Sequence, residues 1–248
     1  MATSSMEKYI SQLEGKVVVV TGAASGLGKQ LSERLAEYKA QVLLVDINPG
    51  IKQVSDEINA RLGEHQTATS YMVSDVRKAN DIQAYFDKAV EVFGCIDVVV
   101  NNAGIANECS LFSQKDSVEL DRIIDINLRA PMEATRIAVR YFRETGLNGV
   151  VLNTASIGGL TPISIMESYG TTKAGLIFFT TTCKGLAPQI RVNAVAPYFT
   201  NTPLVENNRM VSAYPIVGQI GLMNSDKVVK TMIRAICDES LAGDTLMI

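Results

Sequence analysis

Four consecutive valines, Val17 to Val20, run directly into the octapeptide TGAASGLG at Thr21 to Gly28. A β-branched run without polar alternation suits a strand covered on both faces, the situation of a parallel sheet with helices above and below. The glycines that follow allow a tight turn in which backbone N–H groups and a helix N-terminus approach an anion with no Cβ in the way. The same cluster would also serve as a plain strand-to-helix turn. Apolar runs recur at Val42 to Val45, Val98 to Val100, Val150 to Leu152 and in RVNAVA from Arg191, and DTLMI reads as a last strand. Between them, 27–38, 79–93, 119–143 and 168–187 carry apolar residues at mixed three and four spacing, as helices do. The alternation predicts an α/β fold with a doubly wound parallel sheet. No linker, charge block or repeat interrupts it, so one domain is expected over 16–248 behind an N-terminal extension at 1–15.

Net charge is only −3 and the basic residues are scattered, so no basic stripe exists to bind nucleic acid. The N-terminus lacks a continuous apolar segment and the other apolar runs are too short to span a bilayer, which leads us to expect a cytoplasmic protein without a membrane partner. Cys95, Cys109, Cys183 and Cys237 lack the short spacing of a metal site, and none is expected. His65 is the only histidine and sits in the polar stretch GEHQTATS, where a surface loop is expected. Histidine-based triads, multi-imidazole zinc sites and histidine acid/base chemistry would all depend on that one side chain.

Two further features carry chemistry. Asp46 closes the second apolar run eighteen residues after Gly28, where a carboxylate accepts hydrogen bonds from a ribose diol and repels a 2′-phosphate. That favours NAD over NADP, although Asp46 is also placed to start the turn DINPG. Tyr169 and Lys173 in SYGTTK are four apart on a helical pattern, so both reach one substrate from one face. A phenol near pKa 10 is a weak base at neutral pH, and an adjacent ammonium favours its phenolate. Such a pair alone is common as a solvated surface feature.

Together with NNAG at Asn101 to Gly104, Asn127 in INL, Ser156 thirteen before Tyr169, and RVNAVAP, these motifs resemble the short-chain dehydrogenase/reductase family over nearly the whole chain. Within it the nearest likeness is to the NAD-using 15-hydroxyprostaglandin-dehydrogenase-like members, on Asp46, Ser74 to Val76 and the NTP after PYF. The resemblance implies a single-domain Rossmann fold with a seven-stranded sheet and hydride transfer between NAD and a secondary alcohol or ketone. It implies Tyr169 as the acid/base, Lys173 on the nicotinamide ribose, Ser156 on the substrate oxygen and Asn127 positioning a water beside Lys173. It also implies that Gly22, Ser25, Gly26, Leu27 and Gly28 cradle the pyrophosphate, and that Asp46 and Ile47 meet the adenosine ribose. Asp75 and Val76 would lie beside the adenine, Asn101, Ala103 and Gly104 along the adenosine side, and Pro197, Thr200 and Thr202 near the nicotinamide. Singly, Asp75 would equally cap a helix, Ser156 sit in a turn and Asn127 bend a helix.

The family usually has glycine after that proline, where this chain has Tyr198. Tyr198 either fills substrate space or points away and alters only the loop. Ile157 to Met166 and a substrate loop at about 198–222 should wall the pocket, and both are rich in apolar residues. A mostly apolar secondary alcohol or ketone is the expected substrate, with Arg209 as the one loop cation able to hold a carboxylate. The rival reading is a non-catalytic NAD-binding scaffold or sensor, whose mark would be a broken Asn127, Ser156, Tyr169, Lys173 set. By analogy with the family, a homodimer or homotetramer pairing through the two long helices is expected.

Overall fold

The apolar runs form the middle of a seven-stranded sheet in which every neighbouring pair is parallel. A computed structural model describes residues 5–63, 68–164, 166–208 and 221–248. The strands are β1 (Val17–Thr21), β2 (Gln41–Asp46), β3 (Thr69–Val73), β4 (Val98–Asn101), β5 (Gly149–Thr154), β6 (Ile190–Ala196) and β7 (Thr245–Met247). Their spatial order is β3-β2-β1-β4-β5-β6-β7. The helices are α1 (Ser5–Leu13), α2 (Gly26–Glu37), α3 (Ile51–Leu62), α4 (Ala79–Phe93), α5 (Val118–Ile124), α6 (Ala130–Thr145), α7 (Glu167–Thr182), α8 (Pro203–Glu206) and α9 (Ser225–Cys237).

Successive strand side chains point to opposite faces, and here both faces are apolar. Val18, Val20, Val42 and Leu44 pack with Leu31 and Leu35 of α2, Ile58 of α3 and Met232 of α9. Val19, Leu43 and Val99 pack on the other side with Tyr85 and Phe86 of α4 and Phe142 of α6. Each large side chain so buried contributes about 1.5–3 kcal/mol relative to exposure, which is why these strands accept no alternation. The order reverses at β1 and β4, so loops leaving these two strands part in opposite directions and open a crevice over the strand C-termini.

Two expected helices differ in detail. The segment expected as one helix from Glu119 to Arg143 is α5 and α6 joined by a π-helical turn, Asp125–Arg129, with Asn127 inside it. The last long pattern ends as α7 at Thr182 and continues as a single 3₁₀ turn, Cys183–Leu186. In the N-terminal segment, α1 lies against α9; Leu13 is buried and the Cys237 thiol donates to the Tyr9 carbonyl at 3.6 Å. Among the described residues no helix is long and apolar enough to cross a membrane, and no group of His, Cys, Asp or Glu is arranged to hold a metal ion. His65 lies outside the described residues.

Candidate active site

A cleft of about 570 Å³ lies over the strand C-termini, lined largely by residues at or just beyond each strand's end. Gly22 follows β1, Asp46 ends β2, Asp75 follows β3, Asn102 follows β4, Ser156 follows β5 and Pro197 follows β6. Thr21 and Asn102 stitch the two diverging loops together. The Thr21 hydroxyl accepts from the Asn102 and Ala103 N–H groups at 3.0 and 3.1 Å, and the Asn102 amide donates to the Thr21 carbonyl at 3.0 Å.

The first half of the cleft fits a dinucleotide. Gly22 has φ +67°, and a Cβ there would sit 2.8 Å from the Ala103 Cα. Gly28 lies behind the turn: its Cβ would meet the Gly22 carbonyl oxygen at 2.2 Å, so it serves close packing of α2 and does not line the cleft. Ser25 occupies the N-cap of α2 without making a capping hydrogen bond, leaving the first-turn amides facing a cleft lined by Gly22, Ser25, Gly26 and Leu27. Such a terminus attracts a pyrophosphate through its N–H groups and the helix dipole. Beside this turn the Asp46 carboxylate accepts from the Ala24 N–H and the Asn48 N–H, both at 2.9 Å, which fixes it at the cleft edge beside Ile47. Ala103, Gly104, Asp75 and Val76 line the same cleft.

Asn101 does not. Its amide points between β5 and α6, donating to the Asn153 side-chain oxygen at 2.9 Å and the Pro131 carbonyl at 3.3 Å. Asn102, the first residue beyond the strand, faces the cleft instead.

In the second half, Tyr169, Lys173 and Ser156 converge. Tyr169 and Lys173 are buried on the inner face of α7, with the Lys173 Nζ 5.6 Å from the Tyr169 ring centre. The Lys173 ammonium donates to the Thr154 carbonyl at 2.7 Å. The Ser156 hydroxyl accepts from the Gly158 N–H at 3.2 Å and lines the cleft beside the Tyr169 phenol, whose pKa it lowers. The turn after Ser156 lies directly on α7, because a Cβ on Gly159 would come within 2.6 Å of the Lys173 carbonyl carbon. The N-terminus of α7 is held by Asn107, whose side-chain oxygen accepts from the Tyr169 N–H at 3.0 Å while its amide donates to the Ser168 hydroxyl at 2.7 Å.

Asn127 lies beneath the cleft floor. Its amide exchanges two hydrogen bonds with the Ile105 backbone, at 2.9 and 2.8 Å, and a third at 3.4 Å reaches the Thr172 hydroxyl. The π-helical turn supplies the extra residue that swings this side chain out of the helix and onto the β4 loop. It thereby ties the loop, the α5–α6 run and α7 into one body.

The far wall is apolar. Ala106, Met166, Tyr169 and Phe199 form a buried cluster against which Ile163, Tyr198 and Val205 pack, and the Tyr198 and Phe199 rings meet edge to face at 5.1 Å. Tyr198 therefore sits on the cleft wall. Pro197, Thr200 and Thr202 complete this side, and Thr202 N-caps α8 in extended conformation. Leu204 and Val205 also line the cleft. Ile165, Arg209, Met210, Val211, Tyr214, Ile216 and Val217 lie outside the described residues.

Among the cleft-lining residues that the sequence did not single out are Asn102, Thr154, Arg77 and Arg122. Asn102 was legible, since period two from Val98 carries Asn101 into the sheet and leaves Asn102 at its edge. Thr154 acts through a backbone carbonyl, and Arg77 through a contact with Asp75; neither leaves a pattern of residue types.

Burial shapes the electrostatics of the pair. It pulls Lys173 down from 10.5 to about 8, and pushes the Tyr169 phenol above its ordinary 10, partly offset by the Ser156 hydroxyl beside it. Each charge alone is disfavoured in this setting; together, ammonium and phenolate compensate. A stability prediction follows from Lys173. Between pH about 8 and 10.5 the unfolded chain holds a proton on this residue that the folded chain has lost, so folding stability gains with rising pH across that window. The gain is about 3 kcal/mol at most. Urea unfolding at pH 7.5 and 10.5 should show wild type gaining on Lys173→Met; an unchanged or falling difference would contradict the buried-ammonium assignment.

Comparison with known proteins agrees with the geometry. Residues 16–211 match the family model described as short chain dehydrogenase. The chain is 34% identical to 3beta-hydroxysteroid dehydrogenase 2 of Eggerthella lenta, covering 77% of this chain and 73% of that protein. It is 30% identical to the 15-hydroxyprostaglandin dehydrogenase (NAD(+)) of Rattus norvegicus, covering 95% and 91%. The crystal structure of 3-ketoacyl-(acyl-carrier-protein) reductase from Brucella melitensis complexed with NADH superposes with a TM-score of 0.84 at 30% identity, covering 95% of this chain and 97% of that one.

Proposed function

The chain belongs to the short-chain dehydrogenase family, and from that premise we propose that it transfers a hydride between NAD and a mostly apolar secondary alcohol or ketone. The observation that carries this reading is the buried Tyr169, beside Ser156 and backed by Lys173, at an end of the cleft where it packs with the apolar side chains of Ala106, Met166 and Phe199. Bound nicotinamide would supply the hydride acceptor or donor. Ser156 would hold the substrate oxygen, Tyr169 would exchange a proton with it, and Lys173 would bind ribose hydroxyls and favour the phenolate when its ammonium is formed. Asn127 would keep Gly104 and Lys173 in register, because its oxygen and the Lys173 Nζ both lie close beneath Gly104. Asp46, with no Lys or Arg following it directly, supports NAD over NADP. The prostaglandin dehydrogenase relative carries NAD(+) in its name, and the steroid dehydrogenase relative's name points to a largely apolar substrate.

We read the protein as cytoplasmic, supported by four cysteines that are all free thiols. Homodimer or homotetramer formation is supported by apolar side chains exposed on the long helices, Phe178 on α7 and Met132 on α6. The substrate reading is tested by kcat/KM for NAD reduction across alicyclic secondary alcohols of rising apolar size and across polyols. We expect kcat/KM to rise with apolar size and polyols to be poor. Polyols or small charged hydroxy acids as the best substrates would sink the apolar-pocket reading.

A further inference from the structure

Helix α7, which carries Tyr169 in its first turn, begins without a cap of its own. Met166 occupies its N-cap and makes no side-chain capping hydrogen bond. The missing acceptor comes instead from the loop after β4. The Asn107 side-chain oxygen accepts from the N–H of Tyr169, the third residue of α7, at 3.0 Å, which is where a capping side chain normally bonds. The Asn107 amide donates to the Ser168 hydroxyl at 2.7 Å and to the Cys109 carbonyl at 3.4 Å. Asn107 is only 2% exposed, so water does not substitute for these contacts.

A second contact reaches the same residue from the segment after β6. The Asn208 amide donates to the Asn107 carbonyl at 2.6 Å. Asn208 lies two residues beyond α8, and Leu204 and Val205 of that helix line the cleft, with Val205 packed on the cluster that contains Tyr169. One buried asparagine thus joins the segment that walls the cleft to the backbone of the residue whose phenol faces the reacting oxygen. Neither asparagine lines the cleft itself.

We infer that Asn107 is a positioning residue for Tyr169, and that Asn208 ties the cleft wall to it, so that the seating of that wall sets how well the phenol is aimed. The inference rests on Tyr169 carrying the proton exchange proposed above. Neither amide is an acid or a base at neutral pH, so both act through Tyr169. The phenol oxygen stands at the far end of a long side chain, and a small rotation of the first turn of α7 moves it further than it moves the backbone. Lys173 lies one turn deeper and is held separately by the Thr154 carbonyl at 2.7 Å, so the loss of Asn107 falls on Tyr169.

The test is the single-turnover rate of NADH formation at saturating NAD and alicyclic alcohol, with KM for the alcohol and calorimetric NAD affinity measured on the same preparations. Asn107→Leu, similar in size but without the hydrogen bonds, should slow transfer by about 10²-fold, the scale of a misplacement of about 1 Å, with NAD affinity within about twofold of wild type. Asn107→Asp keeps an acceptor for the Tyr169 N–H and for the Ser168 hydroxyl, and should recover at least about tenfold of that loss. Asn208→Ala should slow transfer by about tenfold at saturation, and by less than about twofold when added to Asn107→Leu, because the link is then already cut. Asn107→Asp no faster than Asn107→Leu would reduce Asn107 to packing and overturn the inference. So would an Asn208→Ala effect confined to KM, or one of equal size in both backgrounds. Should Asn107→Leu not fold, Asn208→Ala decides alone: an unchanged rate at saturation overturns the inference and a tenfold loss upholds it. If wild type transfers no hydride, or Tyr169→Phe transfers it as fast as wild type, the catalytic reading itself fails and this inference with it.

Discussion

Tyr169→Phe lowers turnover with NAD by about 10²- to 10⁴-fold, the usual contribution of a positioned acid/base group. Dinucleotide affinity stays within about a factor of two of wild type, because the missing atom is one that acts on the reacting oxygen. The ring itself is retained, and with it the apolar cluster of Ala106, Met166 and Phe199. What disappears is the hydroxyl that Ser156 meets from one side while Lys173 lies 5.6 Å from the ring centre. Stopped-flow turnover and calorimetric NAD binding on the same preparations separate the two effects. Turnover close to wild type in Tyr169→Phe would remove this residue from the chemistry.

Asp46→Ser narrows the preference for NAD over NADP by about ten- to a hundredfold, almost wholly through tighter NADP binding. Two unit charges about 4 Å apart at a protein surface interact by roughly 4 kcal/mol, and solvent and salt reduce this to the smaller figure expected here. The carboxylate is held at the cleft edge by the Ala24 and Asn48 N–H groups, so it does not swing aside to admit a phosphate. A hydroxyl at this position still accepts from a ribose diol, which keeps most NAD affinity. The check is the ratio of NAD to NADP dissociation constants in wild type and variant. A wild-type protein that binds NADP as tightly as NAD would remove Asp46 from cofactor selection.

Much of the fold was legible because the central strands are buried on both faces. Val17 to Val20 and Val42 to Val45 have no polar alternation since helices cover the sheet above and below, and such runs stand out in a sequence. β3 left no comparable signal. It is an edge strand with one neighbour, and Ser70, Tyr71 and Met72 are only half buried, so TSYMV carries no continuous apolar run. The π-helical turn at Asp125–Arg129 was invisible for a different reason: it depends on Asn127 pairing with the Ile105 backbone across 22 residues, and helical spacing continues through it.

The site shows the same division. That Tyr169, Lys173 and Ser156 come together was legible because a motif fixes their spacing, and the fold brings all three to one end of the cleft. Asn101 and Asn102 were separable only by tracking strand parity to the end of β4, which decides which of two identical side chains faces the cleft. Asn107 at the start of α7 and Arg77 over Asp75 act through contacts that no residue pattern announces, one of them bridging 62 positions in the chain.

The central claim is hydride transfer from a carbinol carbon to the nicotinamide of NAD. It is tested most directly by incubating the protein with NAD and an alicyclic secondary alcohol deuterated at the carbinol carbon, then locating the label by NMR. The account predicts NADH carrying deuterium at the C4 position of its nicotinamide ring, formed by wild type and nearly absent with Tyr169→Phe. NADH free of deuterium, or a labelled product formed equally by Tyr169→Phe, would contradict it.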